Sequence, residues 1–125
     1  VVLTAKNRQK LRRLRTPVEI CPTSNMRTLH LRCIEEHPTI GDWLSVSHPF
    51  CICTDDSGVF RTTLSNELKI LMQGFRLSKE KMAQLALQAS TMTFLPPAEA
   101  KSLQKRMEIE TEQVLKEFSD TKLRN

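Results

Sequence analysis

The sequence predicts an α/β protein with two parallel strands and several helices. Two short runs, residues 18–21 and 50–54, are nearly continuously apolar, which is typical of parallel strands covered on both faces. Helical segments precede, separate and follow these runs, and this order implies strands joined by crossover connections. Two strands are too few to complete such a sheet. We therefore expect the chain to be the end of a larger α/β domain.

The composition is typical of a globular protein. The chain has 125 residues, of which 39% are hydrophobic and 26% charged, and this length corresponds to about one domain. No apolar stretch approaches the ~18 residues that a membrane-spanning helix requires. The sequence shows no secretory signal and starts with Val1 instead of methionine. We therefore expect a piece of a longer protein that has no membrane partner.

Residues 3–15 have the period of an amphipathic helix that ends before Pro17, because a proline restricts the residue before it. The apolar residues on one side are Leu3, Leu11 and Leu14. Residues 1–16 hold six of the nineteen basic residues and no acidic one, so the excess of positive charge lies here. No aromatic residue lies among these bases to stack on nucleobases. We expect a solvated helix face and no nucleic-acid partner, with a small basic nucleic-acid binder as an alternative.

The first apolar run is followed by a loop. Pro22 closes the run, and a polar set follows that consists of Thr23, Ser24 and Asn25. After a long connection, residues 40–46 predict one or two helical turns around Trp43.

The second apolar run starts at His48-Pro49 and ends in two adjacent carboxylates. Asp55 and Asp56 are followed by a serine and a glycine, which gives the segment strong turn propensity. Ligands and catalytic groups gather at the carboxyl ends of strands in α/β sheets and barrels. The pair is therefore either a plain turn or a site for a metal ion or a bound base. Adjacent side chains point in different directions, so the two acids would have different roles.

The remaining residues predict three helices. Residues 64–75 have a helical period with Gly74 placed to end it. Ser78 is the expected N-cap of a second helix that runs to about Thr91. Pro96-Pro97 opens a long last helix, whose apolar stripe consists of Leu103, Met107, Val114 and Phe118.

The four cysteines form no C-x-x-C pair, and reduced thiols in a cytoplasmic protein are the simplest interpretation. Cys51 and Cys53 lie two apart in the second run, which places both on one side of a strand. A structural zinc site is an alternative use of the spacing of His30, Cys33 and His37. We expect the two histidines to be surface or packing residues instead.

Three segments together resemble the adenosine deaminase family. Residues 53–60, Cys-Thr-Asp-Asp-Ser-Gly-Val-Phe, with the following Thr-Leu-Ser-Asn-Glu of residues 63–67, resemble its T-D-D segment. Residues 20–25 resemble the preceding strand and loop, and residues 94–96 match an F-L-P turn before the last helix. The likeness covers nearly the whole chain and is closest to the adenosine deaminase-like branch, which acts on methylated AMP.

The resemblance implies a zinc-dependent (β/α)8 TIM barrel, of which residues 1–125 are an incomplete C-terminal part with two parallel strands and several helices. Carried over by position, Asp55 is a zinc ligand and Asp56 hydrogen-bonds a purine ring nitrogen. By their position at the mouth of the earlier strand, Thr23, Ser24 and Asn25 would hydrogen-bond the ribose or phosphate of a nucleotide, unless they form a polar loop that caps the next segment. The implied reaction is hydrolytic deamination of adenosine, AMP or methylated AMP by water whose pKa zinc lowers towards ~7.

The family's other zinc ligands and its proton-shuttle glutamate are absent from this sequence. The family takes them from an H-x-H motif and further upstream residues, and no such motif occurs here. His48 is roughly 20 Å from Asp55 along an extended strand, so the two cannot share a metal. One carboxylate does not make a catalytic zinc site, which normally has three protein ligands.

We therefore expect the chain alone to be inactive and zinc to bind only in the complete barrel. The alternative function is that of a truncated, inactive isoform that acts as an interaction module. Its open sheet edges would be an aggregation hazard.

Overall fold

The computed structural model describes the backbone of residues 4–123 and the side chains of residues 4–117. The chain forms two compact units, Val1–Leu77 and Ser78–Asn125. In chain order, the elements of the first unit are α1 (Ala5–Leu14), β1 (Val18–Ile20), α2 (Pro22–Thr28), a 3-10 turn (Ile34–Glu36), α3 (Ile40–Ser45), β2 (Phe50–Ile52), α4 (Ser57–Phe60) and α5 (Leu64–Gly74). The second unit contains α6 (Lys79–Ser90) and α7 (Pro97–Leu123).

The two predicted strands pair in parallel, with Val18 opposite Phe50 and Ile20 opposite Ile52. Because side chains alternate along a strand, these four residues share one face of the sheet. Ile20 and Phe50 are each 1% exposed, and the core of the unit lies on this side. The opposite face carries the exposed Glu19, the half-buried Cys51 of β2 and the half-buried Cys53 just after β2. Within the described residues, the sheet is therefore well covered on one face only.

Helix α1 is held against α3 by part of its basic face. The guanidinium groups of Arg8 and Arg12 lie 3.4 and 3.6 Å from the Asp42 carboxylate, and Arg12 lies over the Trp43 ring at 5.7 Å. Arg15, in a left-handed cap after the helix, donates to the Ser47 carbonyl at 3.0 Å. Three of the six bases thus make contacts inside the fold. The predicted contribution of Leu3 lies outside the described residues.

The polar set after the first strand was predicted as a loop, and this prediction was wrong. Residues Pro22–Thr28 form α2. Proline is favourable in the first turn of a helix, because its fixed φ suits the helix and its missing N–H would have no partner there. Ser24 and Asn25 are therefore placed by a helix that starts directly at the end of β1.

Gly74 ends α5, as predicted from the sequence, but it does so without adopting a left-handed conformation. It is the last residue of the helix, its φ is not positive, and Arg76 takes the left-handed conformation with φ 50° instead. The glycine is needed for a close approach, because a Cβ at this position would overlap the Cγ2 methyl of Ile34. Ile34 is 3% exposed and fills the core beside α5.

The second unit forms as predicted at both helix starts. Ser78 caps α6, its hydroxyl accepting the Lys81 N–H at 3.1 Å, and α7 begins at Pro97. Leu85 is buried, whereas Val114 of the predicted stripe is 48% exposed. Phe118 lies outside the residues whose side chains are described. Over the described part of the chain, the helices are too short or too polar to cross a membrane.

His48 is part of the core of the first unit. Its ring lies 4.4 Å from the Trp43 ring, and Nε2 lies 2.9 Å from the Thr16 carbonyl, to which it donates. Burial lowers the pKa of His48, and nearby Arg15 and Arg12 add to this effect, while the Thr16 bond opposes it. The neutral ring is thus favoured in the folded protein.

We expect Gly74→Ala to lower the free energy of unfolding. Overlap with a packed side chain costs about 1–3 kcal/mol, which exceeds the gain of up to about 1 kcal/mol from helix propensity. Denaturant unfolding measures the change. Gly41→Ala is the matched control, because a Cβ there would meet Phe75 at an ordinary 3.8 Å. Equal effects of the two substitutions would contradict the close approach.

We also expect acid to destabilise the first unit through His48. Its pKa in the folded state lies below the unfolded value of about 6.5, so the unfolded chain binds the proton more readily. Stability is then present above about pH 6.5 and is lost as the pH falls through the folded pKa. Unfolding series between about pH 7 and 5 should show a smaller loss in His48→Gln, which keeps a donor for Thr16. An unchanged pH dependence would exclude His48 as a source.

Candidate functional site

The carboxyl ends of the two strands form the candidate site. We call this region the rim and define it as residues 21–25 after β1 and residues 53–57 after β2. All four residues singled out in the sequence, Ser24, Asn25, Asp55 and Asp56, lie on the rim. The parallel pairing brings them there, because it places both strand ends at the same edge of the sheet.

A hydrogen bond joins the two halves of the rim. The Ser24 hydroxyl donates to Oδ2 of Asp55 at 2.8 Å. Ser24 is 4% exposed, while Asp55 is exposed. Among the described residues, no hydrogen bond reaches Oδ1 of Asp55. One carboxylate oxygen is thus held by the protein and the other remains accessible to a ligand.

The backbone of Asp55 has an uncommon conformation for its location. Six non-glycine residues in the described chain have positive φ, and five of them lie one or two residues after a helix. Asp55, with φ 56°, follows a strand instead. Aspartate tolerates the left-handed region better than most residues, but such outliers outside helix caps are often found at functional sites.

Asp56 lies on the rim and also caps a helix. Its Oδ1 accepts the Val59 N–H at 3.1 Å, which makes it the N-cap of α4. The turn interpretation of the Asp55-Asp56 pair is therefore correct for Asp56, although it does not exclude a second contact. Its side chain is exposed, and hydrogen bonding to a purine remains a prediction.

A buried carboxylate holds the first half of the rim to α5. Glu67 has 0% exposure and accepts the Thr23 N–H at 2.7 Å and the Thr23 hydroxyl. It also accepts the hydroxyl of Thr62, in the turn between α4 and α5. A buried carboxylate is tolerated where it is well hydrogen-bonded. Glu67 thus fixes the start of α2 relative to the segment that follows Asp56.

The oxygen of the Asn25 side chain is used within the unit. Oδ1 accepts the Cys21 N–H at 3.3 Å and lies 3.2 Å from Nε2 of His37. Nδ1 of His37 accepts the N–H groups of Thr39 and Ile40, so Nε2 carries the proton and donates to Asn25. Burial lowers the pKa of His37, which favours this neutral ring. The amide oxygen of Asn25 is used for local capping, as one of the two interpretations predicts. Substrate binding by Asn25 remains a prediction.

The rim also contains a thiol that stays protonated. Burial and then the neighbouring charge of Asp55 raise the pKa of Cys21 to about 11. A protonated thiol is a poor nucleophile. Nucleophilic catalysis by Cys21 is therefore disfavoured.

No role was predicted for Glu67 from the sequence. A signal was present, since Leu64, Glu67, Leu68 and Leu71 follow the i, i+3, i+4, i+7 spacing of one helix face. A charged residue on an apolar face indicates a buried polar contact. Its partners, Thr23 and Thr62, could not be found from the sequence because they come from different segments.

The histidines and Cys33 do not form the alternative zinc site. In the described residues, one group of potential ligands converges, and it consists of Glu19, Cys51 and Cys53. His30 is exposed and His37 is half-buried and hydrogen-bonded, as expected for surface and packing residues. Asp55 belongs to no such group among the described residues.

Comparison with known proteins identifies the family. The model of the adenosine deaminase family matches residues 5–110, which is most of the chain and includes the whole rim. The N6-mAMP deaminase of Arabidopsis thaliana is 44% identical over 85 residues, which cover 68% of this chain and 24% of that protein. The chain thus spans about a quarter of the length of this relative.

Solved structures show the same relation. The apo structure of the N6-methyl-AMP deaminase from Arabidopsis thaliana matches with a TM-score of 0.82 and 34% identity, over 89% of this chain and 33% of that one. A crystal structure of an Arabidopsis relative complexed with IMP gives a TM-score of 0.82 and 33% identity, over 89% and 32%. These neighbours are TIM barrels, which confirms the predicted fold class. The chain belongs to the adenosine deaminase family and matches a C-terminal part of it.

Proposed function

We propose that this chain supplies the last two strands of the barrel of a hydrolytic purine deaminase. The bond between Ser24 and Asp55 is the observation that carries the proposal, because it presents one free carboxylate oxygen at the edge where barrel enzymes have their active sites. The reaction would replace the amino or methylamino group on carbon six of the purine by oxygen.

The substrate class follows from the relatives. Several of the proteins that match are named for N6-methyl-AMP, and a structural neighbour is complexed with IMP. IMP is the product expected when AMP or its N6-methyl form loses its amine by hydrolysis. We therefore propose a purine nucleoside monophosphate as the substrate and take N6-methyl-AMP as the first compound to test, with AMP and adenosine as the alternatives.

Asp55 fits the role of a zinc ligand. Carboxylate oxygen is among the usual ligands of catalytic zinc, and groups that hydrogen-bond a ligating carboxylate fix its orientation. The Ser24 hydroxyl does this for Asp55. The remaining protein ligands would come from other strands of the barrel. When bound, zinc supplies the Lewis acidity that makes water nucleophilic near neutral pH.

The other rim residues would position the substrate. Asp56 is anchored through Oδ1 to the start of α4, and its remaining oxygen would accept or share a proton with a purine ring nitrogen. Asn25 would bind the ribose or phosphate through its amide nitrogen, since its oxygen is already used. Ser24 would approach the substrate only if its hydroxyl served both Asp55 and the ligand.

The chain alone should not deaminate its substrate, because it holds one of the expected zinc ligands and no candidate proton shuttle on the rim. All four cysteines are free, which supports the proposal of a reducing, cytoplasmic compartment.

The second candidate function, an interaction module, is favoured by the sheet face that the described residues leave open. An antibody to α7 separates the two. A native protein of about 40 kDa, as expected for a barrel with extensions, supports the enzyme, whereas a 14.4 kDa species supports the module.

In the complete protein, Asp55→Ala should abolish zinc retention at the catalytic site and turnover together. Ser24→Ala should weaken zinc binding or activity by about 10–100-fold, because it removes only the support of the ligand. Zinc content after dialysis and the rate of IMP formation from N6-methyl-AMP measure these effects.

Ser57→Ala is the matched control for these variants. Ser57 is an exposed serine on the same rim. It contributes to the fold through its backbone carbonyl, which accepts the Thr62 N–H and is kept in the variant. Full activity with bound zinc in Asp55→Ala would remove Asp55 from the site.

Glu67→Ala should destabilise the protein because it leaves one buried and two half-buried donors without an acceptor. Each donor left unpaired costs roughly 1–3 kcal/mol, and the affected groups are the Thr23 N–H and the two threonine hydroxyls. Denaturant unfolding tests this, with the exposed Glu108→Ala as the control, which should change stability by less than about 0.5 kcal/mol. A loss in Glu67→Ala no larger than in the control would contradict the role given to Glu67.

A further inference from the structure

Two thiols and a carboxylate converge on the open face of the sheet, and one of them, Cys53, also belongs to the rim. Glu19 of β1 lies directly opposite Cys51 of β2 in the parallel register. Cys53 lies two residues further along, on the same side as Cys51. The carboxylate and the two sulfur atoms all lie within 4.8 Å of one another.

The separation of the two sulfur atoms suits one metal ion. Sγ of Cys51 lies 3.8 Å from Sγ of Cys53. Two sulfurs bound to zinc at ~2.3 Å in tetrahedral geometry are also ~3.8 Å apart. A disulfide would need ~2.05 Å instead. At 3.8 Å the two thiols share a weak S–H···S hydrogen bond, and this distance is also the spacing of a chelating pair. The carboxylate offers a third ligand.

The negative charge of Glu19 also needs a cation or a hydrogen-bond donor as its partner. Among the described residues, no basic group or hydrogen-bond donor contacts this carboxylate. The face that carries it is one that parallel sheets normally cover, and the interior of a barrel is filled by packed side chains. A carboxylate enclosed there needs a cation or a donor, because an unpaired buried charge is very costly.

Glu19 and Cys51 lie on the strands, whereas Cys53 is the first rim residue after β2 and precedes Asp55 by two residues. Cys51 precedes Asp55 by four residues, which is at most roughly 13 Å of chain. An ion on this set would lie nearer to the middle of the strands than Asp55, and the Asp55→Ala variant tests whether the two sites bind independently.

We propose that Glu19, Cys51 and Cys53 form a second metal site, specific for a thiophilic divalent cation such as zinc. Two sulfurs and one carboxylate oxygen supply three ligands, and water or a group from the rest of the barrel completes a tetrahedron. Each thiol releases its proton to solvent as its metal–sulfur bond forms. Thiolate ligands select against magnesium and calcium, which prefer oxygen.

Titration of the complete, metal-stripped protein with cadmium ions tests the proposal. Cadmium bound to thiolate gives an ultraviolet sulfur-to-metal charge-transfer band, whereas cadmium bound by carboxylate and histidine does not. The band should grow until one equivalent is bound. It should vanish in the Cys51→Ser, Cys53→Ser double variant, and Glu19→Gln should weaken binding by at least about tenfold, the loss usual even for a residue that only supports a ligand.

Two controls separate this site from other sources of the band. Cys33→Ser, at an exposed cysteine, should leave the band unchanged. Asp55→Ala should also keep it while losing the catalytic-site ion, so failure of the proposed function and failure of this second site give different results. A folded wild-type protein without the band, or a band that persists in the double variant, would overturn the proposal. If a basic side chain of the barrel pairs with Glu19 instead of a metal ion, one of these two contradicting results is expected.

Discussion

The parallel pairing of β1 with β2 is the constraint on which the rest of the first unit depends. It places the ends of both strands at one edge, so that a buried serine from one segment can bond an aspartate from the other. The same register sets Glu19 against Cys51 on the open face. Antiparallel pairing would send the two strand ends to opposite edges and would separate Ser24 from Asp55. The chemistry of the rim thus follows from strand direction and not from local sequence alone.

Two devices keep the rim in place once the strands have paired. Pro22 starts a helix immediately after β1, so the short distance between strand and helix leaves Thr23 and Ser24 little freedom. Glu67 then binds Thr23 and Thr62 from inside the core, which ties the start of α2 and the turn before α5 to α5. A carboxylate that accepts several donors in a buried place is costly to replace, because every partner would lose its acceptor. The exposed Asp55 is therefore presented by a rigid, internally hydrogen-bonded support.

The elements that could be predicted from the sequence are those set by local signals. The apolar runs, the turn after Asp55, the Ser78 cap and the Pro97 helix start all depend on residues close in the chain, and their positions were correct within a few residues. Gly74 was correctly placed at the end of its helix. Its close approach to Ile34 and the buried contact of Glu67 with Thr23 could not be predicted, because both depend on partners distant in the chain. Likewise, the contacts that use the first-helix bases come from α3. Their charge was visible in the sequence, but their partner was not.

The open face of the sheet connects the fold to the function. Parallel strands are normally covered on both sides, and barrel neighbours are about three times as long as this chain, which covers 33% of one of them. The rest of a barrel would have to cover this face of the sheet and complete the ligand set around Asp55. Anomalous diffraction at the zinc edge, from crystals of the complete protein, tests this most directly. It should show an ion about 2.0–2.2 Å from Oδ1 of Asp55, with Ser24 still bonded to Oδ2. A complete protein whose Asp55 faces bulk solvent, with its zinc ion bound elsewhere, would contradict the account.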